Sequence, residues 1–371
     1  MESNLKMKDT NTQNDRPVAS GHTVKRNLNL DILRVLAIFL VIWQHANEYY
    51  YIGPEVSLIK ENAVTVGIID SYARTCIGLF VMISGYLLLP MNISTGSFFR
   101  RRFTRVLFPW LFWCVAYAIY FIAQRGDTVA QMLTNIAHIP VNFGTEVGHL
   151  WYVYMLVGLY LLVPVISPWL RSCGKRELQF YLMLWGITTL MPYLHLAWPA
   201  MLGECTWNPT PTLHYFTGFA GYFVLGHYIR KYGALNRWVA CAMVVVGYAV
   251  TAAVFCLQVP YVDGAVRAEI PWDFCCLNVA MMTVGTFSLV MRLNVDGGGR
   301  MARLVSDVAV CSFAIYLCHI MVLNAFHDIF DPMALPLTAK ISLIAIPTFI
   351  VSWVVAKLLA LLPKAKWWLG V

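Results

Sequence analysis

Ten apolar segments, each long enough to cross a lipid bilayer, recur along this sequence. A membrane-spanning helix needs about 20 consecutive, mostly apolar residues. Only 12% of the 371 residues are charged, about half the share found in soluble domains. The sequence therefore predicts an all-α, polytopic membrane helix bundle with about ten transmembrane helices. The predicted spans cover residues 30–50, 64–89, 104–124, 150–168, 178–198, 213–229, 238–258, 272–291, 306–327 and 337–362.

Lysine and arginine are distributed unevenly over the loops between these spans. Short loops rich in basic residues stay in the cytoplasm. If the chain begins in the cytoplasm, 20 basic residues fall on that side and three, Lys60, Arg125 and Arg267, fall outside. We therefore predict that the N- and C-termini are both cytoplasmic. Because the cations are dispersed at helix ends, they argue against a nucleic-acid partner. The 20 residues are Lys6, Lys8, Arg16, Lys25, Arg26, Arg100, Arg101, Arg102, Arg105, Arg171, Lys175, Arg176, Arg230, Lys231, Arg237, Arg292, Arg300, Arg303, Lys364 and Lys366.

The sequence predicts a transmembrane domain between two cytoplasmic tails. Residues 1–27 carry almost no large apolar side chains, which predicts a disordered cytoplasmic tail. Residues 28–363 hold the predicted spans, and residues 364–371 form a short cytoplasmic tail. No signal peptide is predicted, because the first apolar segment is long enough to remain as a permanent span. The ten cysteines include no Cys-x-x-Cys pair, so we predict no zinc site and no disulfide framework.

The first predicted helix carries ionisable residues, which are costly inside a membrane and usually functional. Arg34 and His45 are eleven residues apart, so they lie on one face of the helix, about 16 Å apart along its axis. Arg34 is expected near the inner surface and His45 in the outer half. Asp31 can pair with Arg34, and Glu48 can orient the His45 ring. The alternative interpretation is that these residues are only the polar ends of a helix.

The second predicted helix contains Asp70 and Arg74, four residues apart on one face. Such a pair can neutralise its own charges, and we predict a structural ion pair. Ser84 and Gly85 follow, and small residues of this kind allow helices to approach closely. A nucleophilic Ser84 would need an adjacent base, and we expect this helix to place Ser84 far from His45.

The densest group of cations lies in an inner loop and comprises Arg100, Arg101, Arg102 and Arg105. Membrane orientation alone could explain it. Arginine also forms forked, charge-assisted hydrogen bonds with phosphates. The loop therefore also predicts a site for a cytoplasmic ligand with several phosphates.

Two further histidines are expected at the depth of His45. His149 and Trp151 open the fourth predicted helix at its outer end, and His319 lies about thirteen residues into the ninth. Two interpretations stay open. The three imidazoles could converge on one site, or His149 and His319 could each be a packed, hydrogen-bonded residue.

Five motifs stand in order along the chain: Asp31…Arg34…His45, residues 80–86, Arg102…Arg105, His149-Leu150-Trp151-Tyr152 and Tyr316-Leu317-Cys318-His319. Together they resemble the motifs of the acyltransferase-3 family of bacterial membrane acyltransferases, and the resemblance covers residues 28–362. Within that family the chain is most similar to the single-domain surface-polysaccharide O-acetyltransferases, of the enterobacterial common antigen O-acetyltransferase type. One position departs from the family pattern, because Val35 stands where glycine usually follows the first-helix arginine.

The resemblance implies transfer of an acyl group, usually acetyl, from cytoplasmic acyl-CoA to a hydroxyl of an extracytoplasmic or lipid-linked glycan at the bacterial inner membrane. Acetyl-CoA would be a substrate, and no bound cofactor or metal is expected. We interpret Arg34, Arg102 and Arg105 as holding the CoA phosphates. His45, oriented by Glu48, would take the proton from the attacking hydroxyl. The other candidate substrate-binding residues are Asp31, His149, Trp151 and His319.

Two alternative functions stay open on the sequence alone. The chain could be a transporter or exporter of a glycan or lipid, with its intramembrane charges lining a pathway. Transporters often contain inverted repeats and matched broken helices, and no such symmetry is visible here. Alternatively, the enzyme could use succinyl-CoA, or a lipid or peptide acceptor.

Overall fold

A computed structural model describes residues 26–141, 148–198, 200, 203, 212–295 and 297–370. Within these ranges the chain forms helices and two isolated β-bridges but no strand, which confirms the predicted all-α fold. The predicted tail 1–27 lies almost entirely outside the described residues. The helices are α1 Leu28–Tyr51, α2 Lys60–Asp70, α3 Cys76–Leu88, α4 Thr95–Arg125, α5 Val129–His138, α6 Trp151–Ser172, α7 Lys175–Thr188, α8 Met191–Ala197, α9 Ala220–Tyr232, α10 Arg237–Gln258, α11 Ala265–Ala268, α12 Leu277–Met291, α13 Arg300–Phe330 and α14 Leu337–Ala360.

Eight helical stretches within the described ranges are long and apolar enough to cross a membrane. A ninth consists of α2 and α3, which pass the same test together although the chain bends by 57° between them. The chain is therefore a multi-pass membrane protein. The eight stretches are Leu28–Tyr51, Thr95–Arg125, Gly148–Ser172, Lys175–Ala197, Arg237–Tyr261, Ile270–Met291, Arg300–Phe330 and Leu337–Ala360.

The second predicted span, residues 64–89, is not the continuous helix that the sequence predicts. After α2 the chain passes through a 3₁₀ turn at Ala73–Thr75 and then enters α3. Ser71 Oγ donates to Gly67 O at 2.5 Å and accepts from the indole Nε1 of Trp272 at 3.0 Å. Irregular backbone at membrane depth is tolerated where protein groups satisfy it. The break is possible because its polar groups find partners inside the bundle.

The sixth predicted span, residues 213–229, forms a shorter helix than predicted. Its helix α9 has 13 residues, about 20 Å at 1.5 Å per residue, whereas the hydrocarbon core is about 30 Å thick. It packs chiefly against α3, and near its two ends the Phe219 ring lies 5.9 Å from that of Trp151 and Lys231 Nζ donates to Cys173 O at 3.4 Å. In the described residues, the ten predicted spans thus become eight long helices, one bent pair and the short α9.

Helix α1 is central in the bundle. It contacts α2, α3, α12, α13 and α14, and its residues Leu33 and Ala37 are fully buried. Asn27 caps the helix, because its side chain accepts hydrogen bonds from the backbone N–H groups of Asn29 (3.0 Å) and Leu30 (3.4 Å). The central position directs the ionisable residues of α1 toward other helices.

Helices α3 and α9 pack backbone against backbone at two glycines. A Cβ atom on Gly85 would lie 1.8 Å from Phe223 O, and one on Gly226 would lie 2.1 Å from Met82 O. Neither contact leaves room for a side chain. The predicted close approach at Gly85 therefore occurs, and it holds α3 firmly beside the cavity described next.

Candidate active site

Asp31 binds two arginines at the first turn of α1. Its carboxylate is fully buried and accepts hydrogen bonds from Arg34 Nη1 at 2.9 Å, Arg26 Nη2 at 3.0 Å and Ser306 Oγ at 2.9 Å. Arg26 Nε donates to the same carboxylate. The predicted Asp31–Arg34 pair therefore forms, and Arg26 and α13 join it. Because these partners enclose Asp31, it would not contact a ligand directly. It would influence ligand binding by holding the arginines in place.

Four arginines meet at one end of a cavity of about 450 Å³. Arg26 and Arg34 come from the start of α1, and Arg102 and Arg105 come from one face of α4, three residues apart. The Arg26 side chain is 46% exposed, so this end of the cavity reaches the protein surface. The inner walls are apolar and aromatic, and they include Val41, Ile77, Phe80, Tyr152 and Tyr316.

His45, His149 and His319 converge inside the bundle. The ring centroids are 5.4 Å apart for His45 and His319, 5.2 Å for His149 and His319, and 6.3 Å for His45 and His149. His45 belongs to α1, His149 to the 3₁₀ turn Gly148–Leu150, and His319 to α13. The three rings therefore lie close together, as one of the two interpretations expects, and His319 is at the same time buried and hydrogen-bonded, as the other expects. Across the described part of the chain, no group of three or more metal-ligating side chains is arranged to hold a metal ion.

Hydrogen bonds at Nδ1 determine which imidazole nitrogens carry protons. His45 Nδ1 lies 2.7 Å from Glu48 Oε2, and His319 Nδ1 lies 2.6 Å from Tyr316 O. A carboxylate and a carbonyl oxygen only accept, so we assign the proton of each ring to Nδ1. Nε2 is then the basic nitrogen in both rings. Among the described residues, the buried Nε2 atoms of His149 and His319 have no hydrogen-bond partner.

Tyr316 connects the cavity to the three histidines. Its ring lines the cavity and lies 6.0 Å from the rings of both His149 and His319. Its hydroxyl donates to His149 O at 2.6 Å. Tyr316 therefore lies between the arginine-lined cavity and the histidine cluster and contacts both, whereas none of the three histidines is among the side chains that line the cavity.

Trp151 lies apart from this region, although the sequence predicts it as a substrate-binding residue. Its indole packs against Phe219 and Phe274, each with ring centroids 5.9 Å away. Tyr152, the next residue, lines the cavity instead. Tyr152 faces the cavity together with Leu156 and Tyr160 of α6, whereas Trp151 does not, because successive residues of a helix point about 100° apart.

Sequence reasoning missed Arg26, Ser306 and Tyr316 as members of the site. The position of Arg26 could have indicated its role. It stands directly before the helix cap Asn27, and a cation at a helix N-terminus is unfavourable unless an anion such as Asp31 binds it. Tyr316 lies one turn before His319 and shares its motif. Ser306 has no local signal, since its contact with Asp31 joins residues 275 positions apart.

A second buried polar cluster lies at the break between α2 and α3. The predicted ion pair forms there, with Arg74 Nη2 and Nε at 2.6 Å and 3.0 Å from Asp70 Oδ2. Arg74 also donates to Tyr51 OH at 3.2 Å and lies 4.0 Å from the centre of the Trp272 ring. Asn47 Nδ2 donates to Asp70 Oδ1 at 3.3 Å. This cluster fixes the C-terminal end of α1, near His45 and Glu48.

Comparisons with known proteins identify the family. A family model described as an acyltransferase domain, that of the acyltransferase-3 family, matches residues 27–357. No curated protein and no solved structure matches the chain. The matched region covers most of the chain and includes Arg34, Arg102, Arg105 and all three clustered histidines. The chain is therefore a membrane protein that belongs to the acyltransferase-3 family of acyltransferases.

Proposed function

We propose that this acyltransferase transfers an acetyl group from cytoplasmic acetyl-CoA to a hydroxyl of an extracytoplasmic or lipid-linked glycan. The supporting observation is that Tyr316 lines the cavity that carries four arginines and also packs against the rings of His149 and His319. Membership of an acyltransferase family favours transfer chemistry over a transporter. The excess of basic residues at the arginine side supports a cytoplasmic position for that side, in a bacterial inner membrane.

The arginine end suits the phosphates of the donor. Arg34, Arg102 and Arg105 present guanidinium groups, which bind phosphate oxygens through pairs of parallel hydrogen bonds. Asp31 holds Arg34 at 2.9 Å, so less side-chain freedom is lost when a phosphate binds. The uncharged arm of CoA would then lie against the aromatic walls, with its thioester toward Tyr316 and the histidines.

His45 acts as the general base in this proposal. Its Nε2 accepts the proton of the glycan hydroxyl while the hydroxyl oxygen attacks the thioester carbonyl carbon. A C–O bond forms, the C–S bond breaks, and the proton on Nε2 passes to the departing CoA sulfur. Glu48, at 2.7 Å from Nδ1, keeps the ring in the required tautomer and stabilises the imidazolium that forms.

His149 and His319 bind substrate in this proposal. The Nε2 atom of His319 is a buried acceptor without a partner among the described residues, and an unpaired buried acceptor costs free energy. A substrate hydroxyl or amide N–H at this atom would remove that cost. His319 therefore suits the role of aligning a donor group of the substrate beside His45.

Purified protein in lipid nanodiscs would test the function directly. With radiolabelled acetyl-CoA and a surface glycan, we expect label in the glycan and one equivalent of free CoA thiol for each acetyl group transferred. If the glycan were labelled from succinyl-CoA but not from acetyl-CoA, the transferred group would be succinyl instead of acetyl. Absence of glycan labelling and thiol release with every acyl-CoA would contradict it.

Replacing Arg102 by alanine is expected to raise the KM for acetyl-CoA about 10- to 100-fold, because a hydrogen bond to a charged group contributes about 1.5–3 kcal/mol. The kcat should stay near that of the wild type, since Arg102 contacts only the phosphates. Steady-state kinetics with varied acetyl-CoA would measure both constants.

Arg101 is the matched control for this variant. It belongs to the same basic sequence but is exposed and lies outside the cavity lining. Arg101→Ala should leave KM nearly unchanged. An equal increase of KM in both variants would mean that the arginines attract the donor only through their net positive charge. Arg102 would then not be a specific phosphate-binding residue.

A further inference from the structure

The segment after α14 folds back onto α4. Trp113 Nε1 donates to Trp368 O at 2.9 Å, and the Phe108 and Trp367 rings pack edge to face with centroids 5.1 Å apart. Leu369 is fully buried. The sequence predicts residues 364–371 as a short cytoplasmic tail; in the described residues, the Trp367 and Trp368 rings pack on α4 and Leu369 is buried.

This anchored segment reaches the arginine end of the cavity. Gly370 lines the cavity together with Arg105, and Gly370 O accepts a hydrogen bond from Arg105 Nε at 3.1 Å. A guanidinium group has five N–H donors in a planar fork. The bond to Gly370 uses the single Nε–H, and it leaves the terminal Nη1 and Nη2 atoms to face a ligand.

The local backbone at Gly370 excludes a side chain. Its φ is +70°, a conformation that L-residues rarely adopt. A Cβ atom there would lie 2.5 Å from Arg105 O and 2.9 Å from Phe313 Cδ1. The backbone of the segment therefore lies directly against both the main chain and the guanidinium of Arg105.

We propose that residues 367–370 position Arg105 for the phosphates of the acyl donor, with Gly370 as the positioning residue. This inference rests on the proposed function. Arg105 is exposed, so without a restraint its long side chain would lose rotamer freedom on binding a phosphate. The carbonyl of Gly370 imposes that restraint before the donor arrives, which lowers the entropic cost of binding.

Gly370→Ala tests the inference, with coenzyme A as the probe and calorimetry on protein in nanodiscs. We expect the Kd for coenzyme A to rise about tenfold, the upper end of the cost of immobilising one side chain, while kcat stays unchanged. Phenylglyoxal should modify Arg105 faster in the variant than in the wild type, as read by peptide mass spectrometry. Gly96→Ala, on α4 with open space around its Cβ position, is the control and should change neither measurement.

Two further variants separate positioning from a general structural effect. In an Arg105→Ala background, Gly370→Ala should raise the Kd no further, because its effect passes through Arg105. Leu369→Ala, which removes the buried anchor, should reproduce the weaker binding if Gly370→Ala fails to fold. An unchanged or tighter Kd in Gly370→Ala, or a full tenfold effect in the Arg105→Ala background, would overturn the inference. Failure of the wild type to bind coenzyme A would instead refute the proposed function, and the inference with it.

Discussion

Replacing His45 by alanine is expected to lower kcat for acyl transfer by about 10²- to 10⁴-fold, the contribution of a positioned general base. Alanine removes the Nε2 lone pair that accepts the hydroxyl proton, and it leaves Glu48 without its imidazole partner. Donor binding should persist, because Arg34 lies about 16 Å from His45 along α1 and the other arginines lie with it at the far end of the cavity. Initial rates at saturating acetyl-CoA, with coenzyme A affinity measured separately, would report both quantities.

His214→Ala is the matched control for this variant. His214 is exposed and belongs to the 3₁₀ turn before α9, apart from the three clustered rings. It should retain wild-type kcat. If the His45→Ala protein inserts normally and turns over at the wild-type rate, His45 is not the base and the proposed mechanism is wrong.

Replacing Arg74 by alanine should lower the free energy of unfolding by about 3–5 kcal/mol, the cost of leaving one partner of a buried ion pair without its counter-charge. Asp70 is fully buried and Arg74 is 4% exposed, so water cannot solvate the remaining carboxylate. The loss should also loosen the break between α2 and α3, since Arg74 joins Asp70, Tyr51 and the Trp272 ring. Denaturant titration in detergent micelles, followed by tryptophan fluorescence, would measure the change.

The ion pair between Lys60 and Asp263 provides the comparison. Its N–O distance is 2.8 Å, similar to that of the buried pair, but its side chains are 43% and 94% exposed. Exposed pairs contribute about 0–1 kcal/mol, so Lys60→Ala should have little effect on unfolding. A double Asp70→Leu, Arg74→Leu variant should be more stable than Arg74→Ala, because it removes both charges together. If Lys60→Ala and Arg74→Ala lowered the free energy of unfolding equally, burial of the Asp70–Arg74 pair would not be the cause of its contribution to stability.

Close contacts along one helix could be predicted from the sequence because they follow from helical geometry. The spacing of Asp31, Arg34, His45 and Glu48 correctly predicts two local pairs on α1. The four-residue spacing of Asp70 and Arg74 also predicts their ion pair, although the chain there leaves α2 and enters a 3₁₀ turn. The Arg102 and Arg105 side chains likewise meet one cavity because they share a face of α4. The roles of these residues in catalysis and binding stay predictions.

The apolar pattern of the sequence does not predict where a span breaks or where a helix is shorter than a span. Residues 64–89 are apolar throughout most of their length, so their composition fits one span. The chain bends by 57° there, and a partner about 200 positions away, Trp272, donates a hydrogen bond to the Ser71 hydroxyl at the break. Helix α9 is flanked by Phe219 and by Gly233, whose φ of +92° ends the helix, and the apolar pattern marks neither end.

The apolar segments and the distribution of charge in the sequence by themselves determined that this is a multi-pass helical membrane protein, since hydrophobicity acts residue by residue. Only the tertiary structure decided that His45, His149 and His319 meet, that Tyr316 connects them to the arginines, and that Gly370 binds Arg105. These contacts join residues far apart in the chain. They depend on how the helices pack, and packing is a property of many side chains at once.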